Sequence, residues 1–311
     1  MSAERAGICV FGSLNIDLTV RLERFHQPGE TVAGHGFHTF TGGKGGNQAV
    51  AAARLGGAVH MLGCLGADAN GAMYLETLEK EGIDASRVRT IPDETSGVAL
   101  IEVNDAGENR IAVVAGANAR LDAEAADEAA EAIASCGCLL MQLETPIEGV
   151  IEAARIARRG GATVILDPAP ARPLPDELLS LCDYLTPNET ELQTLTGLPV
   201  ETDEEAAAAC LSLIARGAGA VINKRGAKGA LLVTKEGARV APGFSVKAVD
   251  TTAAGDTFNA GFAVGLEKGW RLDEALCFAN AAAAISITAL GAQGAMPRFE
   301  QAMALMKGEG R

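Results

Sequence analysis

The chain has 311 residues, 48% of them hydrophobic, which is enough to bury the core of one large α/β domain. Its formal net charge of −14 disfavours nucleic acid and anionic membranes as partners. No apolar stretch reaches the length of a membrane-spanning helix and no linker divides the chain, so a single domain is predicted over residues 1–311.

The beginning of the chain and its cysteines indicate a reducing compartment. The first predicted strand covers residues 8–12, so we expect no signal peptide. Seven cysteines, an odd number without zinc-ligand spacing, lie mostly in apolar runs and are typical of small buried hydrophobes. We therefore expect a cytoplasmic protein.

Polar residues recur with a period of two directly after the first strand. Asn15, Asp17 and Thr19 should therefore share one face of a second strand, although Asn and Asp are poor strand residues. That face is either the solvated side of a half-exposed sheet or a surface on which an amide and a carboxylate bind adjacent hydroxyl groups. The pattern alone does not decide between the two.

Four glycines surround Lys44 and Asn47 in segment 41–49, directly ahead of a helix predicted over residues 49–55. The pattern predicts a loop whose backbone approaches a ligand, with Gly43 and Lys44 at the ligand. It is not a Walker P-loop, because Lys44 is followed by Gly45 rather than Ser or Thr. A merely flexible loop would not explain the embedded Lys44 and Asn47.

Short apolar runs then alternate with Ala-rich helical patterns, which predicts a three-layer α/β fold with a mostly parallel sheet and helices on both faces. Two segments, 14–40 and 96–114, break this alternation and read as strands with turns at residues 28–29 and 105–107, which predicts a small additional β-sheet. Further predicted strands are residues 58–62, 138–142, 163–166, 183–186 and 220–223, and predicted helices are residues 69–81, 123–134, 147–159 and 204–215.

Two polar residues follow predicted strands at the edge where parallel sheets bind their ligands. Glu144 comes after the strand at residues 138–142, and Asn188 after the strand at residues 183–186. The spacing of Asn188 and Glu191 also fits a helix N-cap with an acidic third residue.

Near the C-terminus, segment 250–257 opens a helix with small residues and ends on a carboxylate. Gly255 is costly in a first helical turn unless something approaches the backbone closely. The N–H groups at this helix start, from Ala253 to Gly255, are a ready site for a phosphate. Asp256 could then take a proton from an attacking alcohol, or it could merely complement the helix dipole.

Together these segments resemble the ribokinase-like sugar kinases of the phosphofructokinase B family over nearly the whole chain. The resemblance implies ATP-dependent phosphorylation of the 5-hydroxyl of D-ribose. The alternatives are a kinase for 2-deoxyribose or another small sugar, and, in a different class, a sugar-binding regulator without catalysis. The matching segments are residues 15–17, 28–31, 42–49, 142–144, 167–171, 186–191, 250–257 and 291–293.

Residue roles also follow from the resemblance. It implies a β lid over the sugar, formed by segments 14–40 and 96–114, which often makes a homodimer contact. Mg²⁺ would lie near Asn188 and Glu191, and a monovalent cation, K⁺, would bind as well. The sugar would lie among Asn15, Asp17, Gly43, Lys44, Asn47 and Glu144, with its reacting hydroxyl at Asp256. The ATP phosphates would lie near Gly226 and Gly229, and adenine near Ala279 and Asn280. The K⁺ ligands would be Asp250, Thr252, Ala289 and Gly291.

The chain departs from the usual family pattern at two places. Lys224-Arg225-Gly226 stands where many relatives carry Thr-x-Gly, so Lys224 is either part of a solvated basic turn or a cation near the nucleotide phosphates. Ala295 stands where a serine can help bind the monovalent cation in relatives. The second departure puts the completeness of the K⁺ site in doubt.

Overall fold

The first strand, β1 (Ile8–Phe11), is buried on both of its faces. Ile8 and Val10 pack in one hydrophobic core, and Cys9 and Phe11 pack in another. Because successive side chains of a strand point to opposite faces, an entirely apolar strand belongs in a sheet that is covered on both sides. The computed structural model describes residues 7–308 and has this three-layer arrangement.

A nine-stranded sheet forms the middle layer, in the order β13-β12-β11-β10-β9-β8-β1-β4-β5. Its strands are parallel except for β12, which runs antiparallel to both of its neighbours. A second sheet has four strands in the order β3-β2-β6-β7. The remaining strands are β2 Asn15–Leu22, β3 Gly34–Gly42, β4 Val59–Gly66, β5 Asp84–Ile91, β6 Gly97–Asn104, β7 Asn109–Val114, β8 Cys138–Met141, β9 Thr163–Leu166, β10 Tyr184–Leu185, β11 Ala220–Lys224, β12 Ala230–Thr234 and β13 Gly237–Ala241.

Helices cover the large sheet on both faces. The helices α1, α2, α9, α10 and α11 contribute to the core that contains Ile8, and α3 to α8 contribute to the core that contains Cys9. Within residues 7–308, no helix is long and apolar enough to cross a membrane. The helices are α1 Lys44–Arg54, α2 Ala69–Lys80, α3 Ala123–Glu128, α4 Ala130–Ser135, α5 Ile147–Gly160, α6 Asp176–Leu181, α7 Glu189–Thr196, α8 Asp203–Ala215, α9 Ala254–Glu267, α10 Leu272–Ser286 and α11 Phe299–Met306.

The predicted alternation of strands and helices and the predicted small sheet are confirmed. β5, β12 and β13 were not predicted, because β5 is rich in polar residues and the β12–β13 hairpin carries no helix between its strands. The helix predicted over residues 123–134 is wrong as a single helix, since Ala129 lies between α3 and α4. The assignment of the whole chain to one domain stays a prediction.

The loop predicted over segment 41–49 is wrong. Helix α1 already begins at Lys44, after Gly43 at φ 80°, so Gly45 and Gly46 are helical. A Cβ atom on Gly45 would lie 2.5 Å from the carbonyl carbon of Gly12, and one on Gly46 would overlap the Tyr74 hydroxyl oxygen. These two glycines allow other parts of the protein, rather than a ligand, to approach the helix closely. The sequence alone does not distinguish a glycine needed for packing from a glycine needed for ligand binding.

Gly46→Ala should therefore destabilise the protein. The higher helix propensity of Ala is worth about 1 kcal/mol, but overpacking a tight core costs about 1–3 kcal/mol and would also disturb the hydrogen bond from Tyr74 to the Gly42 carbonyl (2.5 Å). Chemical denaturation measures the change. Gly36→Ala is the control, because its Cβ would make only ordinary contacts with Arg21. Equal stability of the two variants would contradict the packing argument.

Candidate active site

A cavity of about 770 Å³ opens at the carboxyl ends of the parallel strands, where α/β sheets bind ligands. It brings together residues that are far apart in the sequence, from α1, α7, β11, α9 and α10. Its wall includes these predicted site residues: Lys44, Asn188, Glu191, Lys224, Gly226, Gly229, Ala253, Ala254, Gly255, Asp256 and Asn280.

The N-terminus of α9 forms one side of this cavity. Ala253 is its N-cap, in the left-handed conformation at φ 59°, which is costly for a residue other than glycine. The N–H of Ala254, predicted as an anion donor, instead donates to the carbonyl oxygen of Thr251 (3.3 Å). Gly255 and Asp256 are in the first turn, where N–H groups have no acceptor within the helix, so theirs can serve an anion.

Asp256 is buried at this helix start and accepts one amide hydrogen bond on each carboxylate oxygen. Asn47 Nδ2 lies 3.1 Å from Oδ2, and Gln48 Nε2 lies 3.1 Å from Oδ1. Burial raises the pKa of Asp256 to about 6; Lys44 opposes this rise and Asp167 adds to it. The carboxylate is therefore ionised near neutral pH, yet it is a stronger base than an exposed aspartate.

Two lysines place positive charge beside the helix start. Lys224 Nζ is 2.9 Å from Asp167 Oδ1, and a Cβ atom on Gly255 would lie 3.1 Å from the same Nζ. Burial alone would lower the pKa of Lys44, but the negative charges of four carboxylates outweigh burial and raise it. These carboxylates belong to Asp256, Asp167, Glu144 and Glu191.

The basic turn at Lys224 and Arg225 is not solvated. The Lys224 side chain is only 11% exposed and lines the cavity. Arg225 is buried and pairs with Asp203 at the start of α8. Of the two cations, Lys224 is therefore the one available to a ligand in the cavity.

Asn188 and Glu191 face the cavity from the start of α7. They form a capping box, in which each side chain accepts the backbone N–H of the other at 2.8 Å. Burial raises the pKa of Glu191, and the charge of Lys224 opposes that rise. Across residues 7–308, no group of three or more His, Cys, Asp or Glu side chains is arranged to hold a metal ion. A cation here would need oxygen ligands from phosphate or water as well.

The other predicted sugar residues adjoin the cavity through Lys44 and Asp256. Glu144 accepts from the Lys44 N–H (3.1 Å) and from the Ser13 hydroxyl (2.5 Å), and Asn47 binds Asp256. Burial, with Glu144 contributing, raises the pKa of Asp17 to about 7. Asn15 Oδ1 accepts from Asn118 Nδ2 at 2.8 Å, and a Cβ atom on Gly43 would lie 2.7 Å from the Asn15 nitrogen.

Three of the four predicted cation ligands, Asp250, Thr252 and Gly291, form a separate cluster. Asp250 Oδ1 accepts from the Thr252 N–H (2.9 Å) and hydroxyl (2.6 Å), and Oδ2 accepts from the Gly291 N–H (2.9 Å). Burial opposes ionisation of Asp250, but these hydrogen bonds outweigh it and lower its pKa. Ala289 lines a different cavity of about 680 Å³, together with Ala295.

Several polar residues of the site were not predicted. Asp167 binds Lys224 and lines the cavity, and its position directly after the strand at residues 163–166 was an available signal. Gln48, Gln142 and Gln293 are buried in the hydrogen-bond network around Asp256, and their position in segments 42–49, 142–144 and 291–293, which resemble the family, was an available signal.

Comparison with known proteins agrees with this geometry. Residues 5–298 match the model of the pfkB family carbohydrate kinases, and the chain belongs to this family. The predictions of the family and of a sugar kinase are confirmed.

Individual relatives cover nearly the whole chain. Ribokinase from Haemophilus influenzae is 44% identical, over 97% of this chain and 99% of the relative. A deoxyribokinase from Salmonella typhi is 40% identical, over 94% of this chain and 96% of the relative. The structure of Arabidopsis thaliana ribokinase complexed with ribose and ATP has a TM-score of 0.93 at 36% identity, covering 97% of this chain and 99% of that one.

Proposed function

We propose that this protein transfers the γ-phosphate of ATP to the 5-hydroxyl of D-ribose. The observation that carries the proposal is the buried carboxylate of Asp256, which lies in the first turn of α9 and in the wall of the same cavity as Lys44 and Lys224. A base, helix N–H groups and two cations are what phosphoryl transfer to an alcohol requires. Similarity to ribokinases at up to 44% identity supports ribose as the sugar.

In the proposed reaction, Asp256 accepts the proton of the ribose 5-hydroxyl as that oxygen attacks the γ-phosphorus of ATP. The bond from this phosphorus to the bridging oxygen of ADP breaks as the new bond forms. The N–H groups of Gly255 and Asp256 bind the transferring group, and a donor of this kind is typically worth about a hundredfold or more in rate. Lys224 and Lys44 neutralise charge on the phosphates.

Ribose is bound by residues that connect directly to this centre. Asn15, Asp17 and Glu144 supply hydrogen-bond acceptors, whereas Lys44 and Asn47 supply donors. The nucleotide lies in the large cavity, with phosphates at Gly226 and Gly229 and adenine beside Asn280, which also lines the wall. Asn280 itself is held by the carbonyl oxygens of Ala241 (3.0 Å) and Pro242 (3.2 Å). Ala279, also predicted at adenine, is fully buried in the core, so this contact falls to Asn280.

We also propose that Mg²⁺ is used. Asn188 and Glu191 fit the ion, since a buried carboxyl group with a raised pKa is stabilised as an anion by a nearby cation. When bound, Mg²⁺ neutralises charge on the β- and γ-phosphate oxygens. The capping box keeps both side chains at the cavity wall in its absence.

A monovalent cation, K⁺, fits the Asp250 cluster. Its carboxylate is held ionised by Thr252 and Gly291 and joins the loop before α9 to the loop after α10. Backbone oxygens of Thr252, Ala289 and Gly291 would supply further ligands. An ion at this place would neutralise Asp250 and stabilise the loop that leads into the phosphate site.

The small sheet is proposed as the lid of the sugar site and as a dimer contact in the cytoplasm. Strand register places Phe40 and Val113 on the same face as Asp17, and these two apolar side chains are 50% and 58% exposed. A second copy of the chain would cover them. All seven cysteines are free thiols, which supports a reducing compartment.

A deoxyribose kinase is the second candidate. The 40% identity to a deoxyribokinase extends over nearly the same residues as the similarity to ribokinases. A regulator without catalysis is disfavoured, because it would have no use for a buried base beside a phosphate-binding helix start. ATP consumption in the presence of sugar distinguishes a kinase from a regulator.

Asp256→Asn should lower kcat at least about a hundredfold while sugar and ATP still bind, since an amide cannot accept the hydroxyl proton. In the wild type, the pKa of about 6 predicts that kcat falls as pH is lowered through 6, where the base becomes protonated. Asp273→Asn is the control, because Asp273 is an exposed acid in the first turn of α10. A similar kcat for both variants would mean that Asp256 only complements the helix dipole.

Ribose should be the best substrate in a panel of pentoses and hexoses assayed by sugar-dependent ADP release. 2-Deoxyribose lacks one hydroxyl and would leave a buried polar group unpaired, at a cost of about 1–3 kcal/mol, or roughly 5- to 150-fold in kcat/KM. Equal or better kcat/KM with 2-deoxyribose or fructose would reject ribose specificity without affecting the assignment as a sugar kinase.

K⁺ should activate the enzyme more weakly than it activates Ala295→Ser. The serine would add one hydroxyl ligand, whereas water has to replace it beside Ala295. Titration of K⁺ against an Na⁺ background, for wild type and variant, measures half-activation. If neither protein responds to K⁺, the proposed K⁺ site is rejected. Half-activation at the same K⁺ concentration in both proteins would show that residue 295 does not contribute to K⁺ binding.

A further inference from the structure

Two short chains of buried amides end on the two oxygens of Asp256. In the first chain, Gln142 Nε2 donates to Gln48 Oε1 (2.7 Å), and Gln48 Nε2 donates to Asp256 Oδ1 (3.1 Å). In the second chain, Gln293 Nε2 donates to Asn47 Oδ1 (3.2 Å), and Asn47 Nδ2 donates to Asp256 Oδ2 (3.1 Å). All five side chains are at least nine-tenths buried.

The direction of the first chain follows from the chemistry of its ends. The NH₂ group of Gln48 has two hydrogens and donates to two carboxylates, Asp256 and Asp167 (3.3 Å). Carboxylates only accept, so the carbonyl oxygen of Gln48 must face away from them. There it meets the NH₂ group of Gln142. If Gln48 alone turned over, two NH₂ groups would face each other, so Gln48 can turn only together with Gln142, whose Oε1 has no hydrogen-bond partner among the described residues.

The second chain is oriented from its far end. The Thr41 hydroxyl donates to Gln293 Oε1 (2.6 Å), so the NH₂ group of Gln293 faces Asn47 and the Tyr74 hydroxyl oxygen (3.4 Å). Arg54 binds the backbone carbonyl of Gln293 and is itself paired with Glu81 (2.6 Å). The amide of Asn47 is therefore held with its NH₂ group toward Asp256.

We propose that Gln142 and Gln293 are positioning residues that hold the amides of Gln48 and Asn47 with their NH₂ groups turned toward Asp256. Neither residue has a place in the proposed contacts to sugar or nucleotide. Their effect is to surround both oxygens of the base with donors. A protonated Asp256 would need an acceptor for its own hydrogen. Asn47 cannot turn to provide one while Gln293 is held by Thr41 and Tyr74, and Gln48 can turn only if Gln142 turns with it.

This inference rests on Asp256 being the base of the proposed reaction. Without the positioning residues, a turned amide would accept a hydrogen bond from protonated Asp256 and so stabilise the protonated form. The pKa of Asp256 would then rise. Other charged groups face this centre and are the same in every variant: Lys44 from α1, Asp167 after β9, Lys224 from β11, Glu191 from α7 and Glu144 after β8.

The test is the pH profile of kcat for Gln142→Met and Gln293→Met, which keep side-chain length but remove the donor. The acid limb of this profile, where kcat falls as Asp256 becomes protonated, should move to higher pH by about one unit. A shift of this size corresponds to the free energy of about one hydrogen bond that only the protonated form makes. kcat would then fall about fivefold at pH 6 and little at pH 9. Gln193→Met, on the exposed side of α7, is the control and should leave the profile unchanged.

A milder variant keeps the proposal testable if the Gln142 and Gln293 variants fail to fold. Thr41→Val changes a half-buried residue and removes only the hydroxyl that orients Gln293, so it should shift the limb in the same direction by less. A uniform loss of kcat at all pH values in the Gln variants, with the acid limb unmoved, would overturn the inference alone. Should the acid limb survive in Asp256→Asn, the base itself would be wrongly assigned, and both proposals would fail.

Discussion

The site depends on the burial of opposite charges at the carboxyl edge of the large sheet. Asp256, Asp167 and Glu191 are carboxylates in the cavity wall, and Lys44 and Lys224 are the cations among them. Removing such charges from water is expensive unless each is paired or hydrogen-bonded. The Lys224–Asp167 ion pair and the amides on Asp256 provide that compensation. A surplus of one carboxylate remains in this wall, which fits the divalent cation proposed to bind with the nucleotide.

The same edge is rigid because its helices pack through small residues. Gly45 and Gly46 bring α1 against the end of β1 and against Tyr74, and a Cβ atom on Gly261 of α9 would lie 3.0 Å from the backbone of Ala279 in α10. Close backbone contact leaves little room for sliding. Asn47 and Asp256 therefore meet at a fixed distance across α1 and α9, so packing far from solvent determines the geometry of the proposed chemistry.

Much of the fold and part of the site could be predicted from sequence, for identifiable reasons. Most strands of the large sheet are predictable because they are short apolar runs. Asp256 is predictable as a site residue because Gly255 precedes it in a first helical turn. Gly45 favoured a wrong prediction of a loop, since a glycine needed for packing cannot be distinguished in the sequence from a glycine needed for a ligand. Gln48 and Gln142 lie in two of the segments that resemble the family, but no local pattern predicts their contact, because the two residues are 94 positions apart. Pairings of this kind exist only after the chain has folded.

The proposed sugar site differs from the surroundings of Asp256 in how its polar groups are satisfied. Asp17 and Glu144 are acceptors near each other, and burial with this neighbouring charge raises the pKa of Asp17 to about 7. Around Asp256, by contrast, protein amides already supply the donors. Glu144 already accepts from the Ser13 hydroxyl and the Lys44 N–H. Hydroxyl groups of the proposed sugar would supply donors to Asp17 and so stabilise its ionised form. In the proposed complex, the sugar would supply to Asp17 the kind of hydrogen bond that protein amides supply to Asp256, and a deoxy sugar would bring one fewer hydroxyl donor to the site.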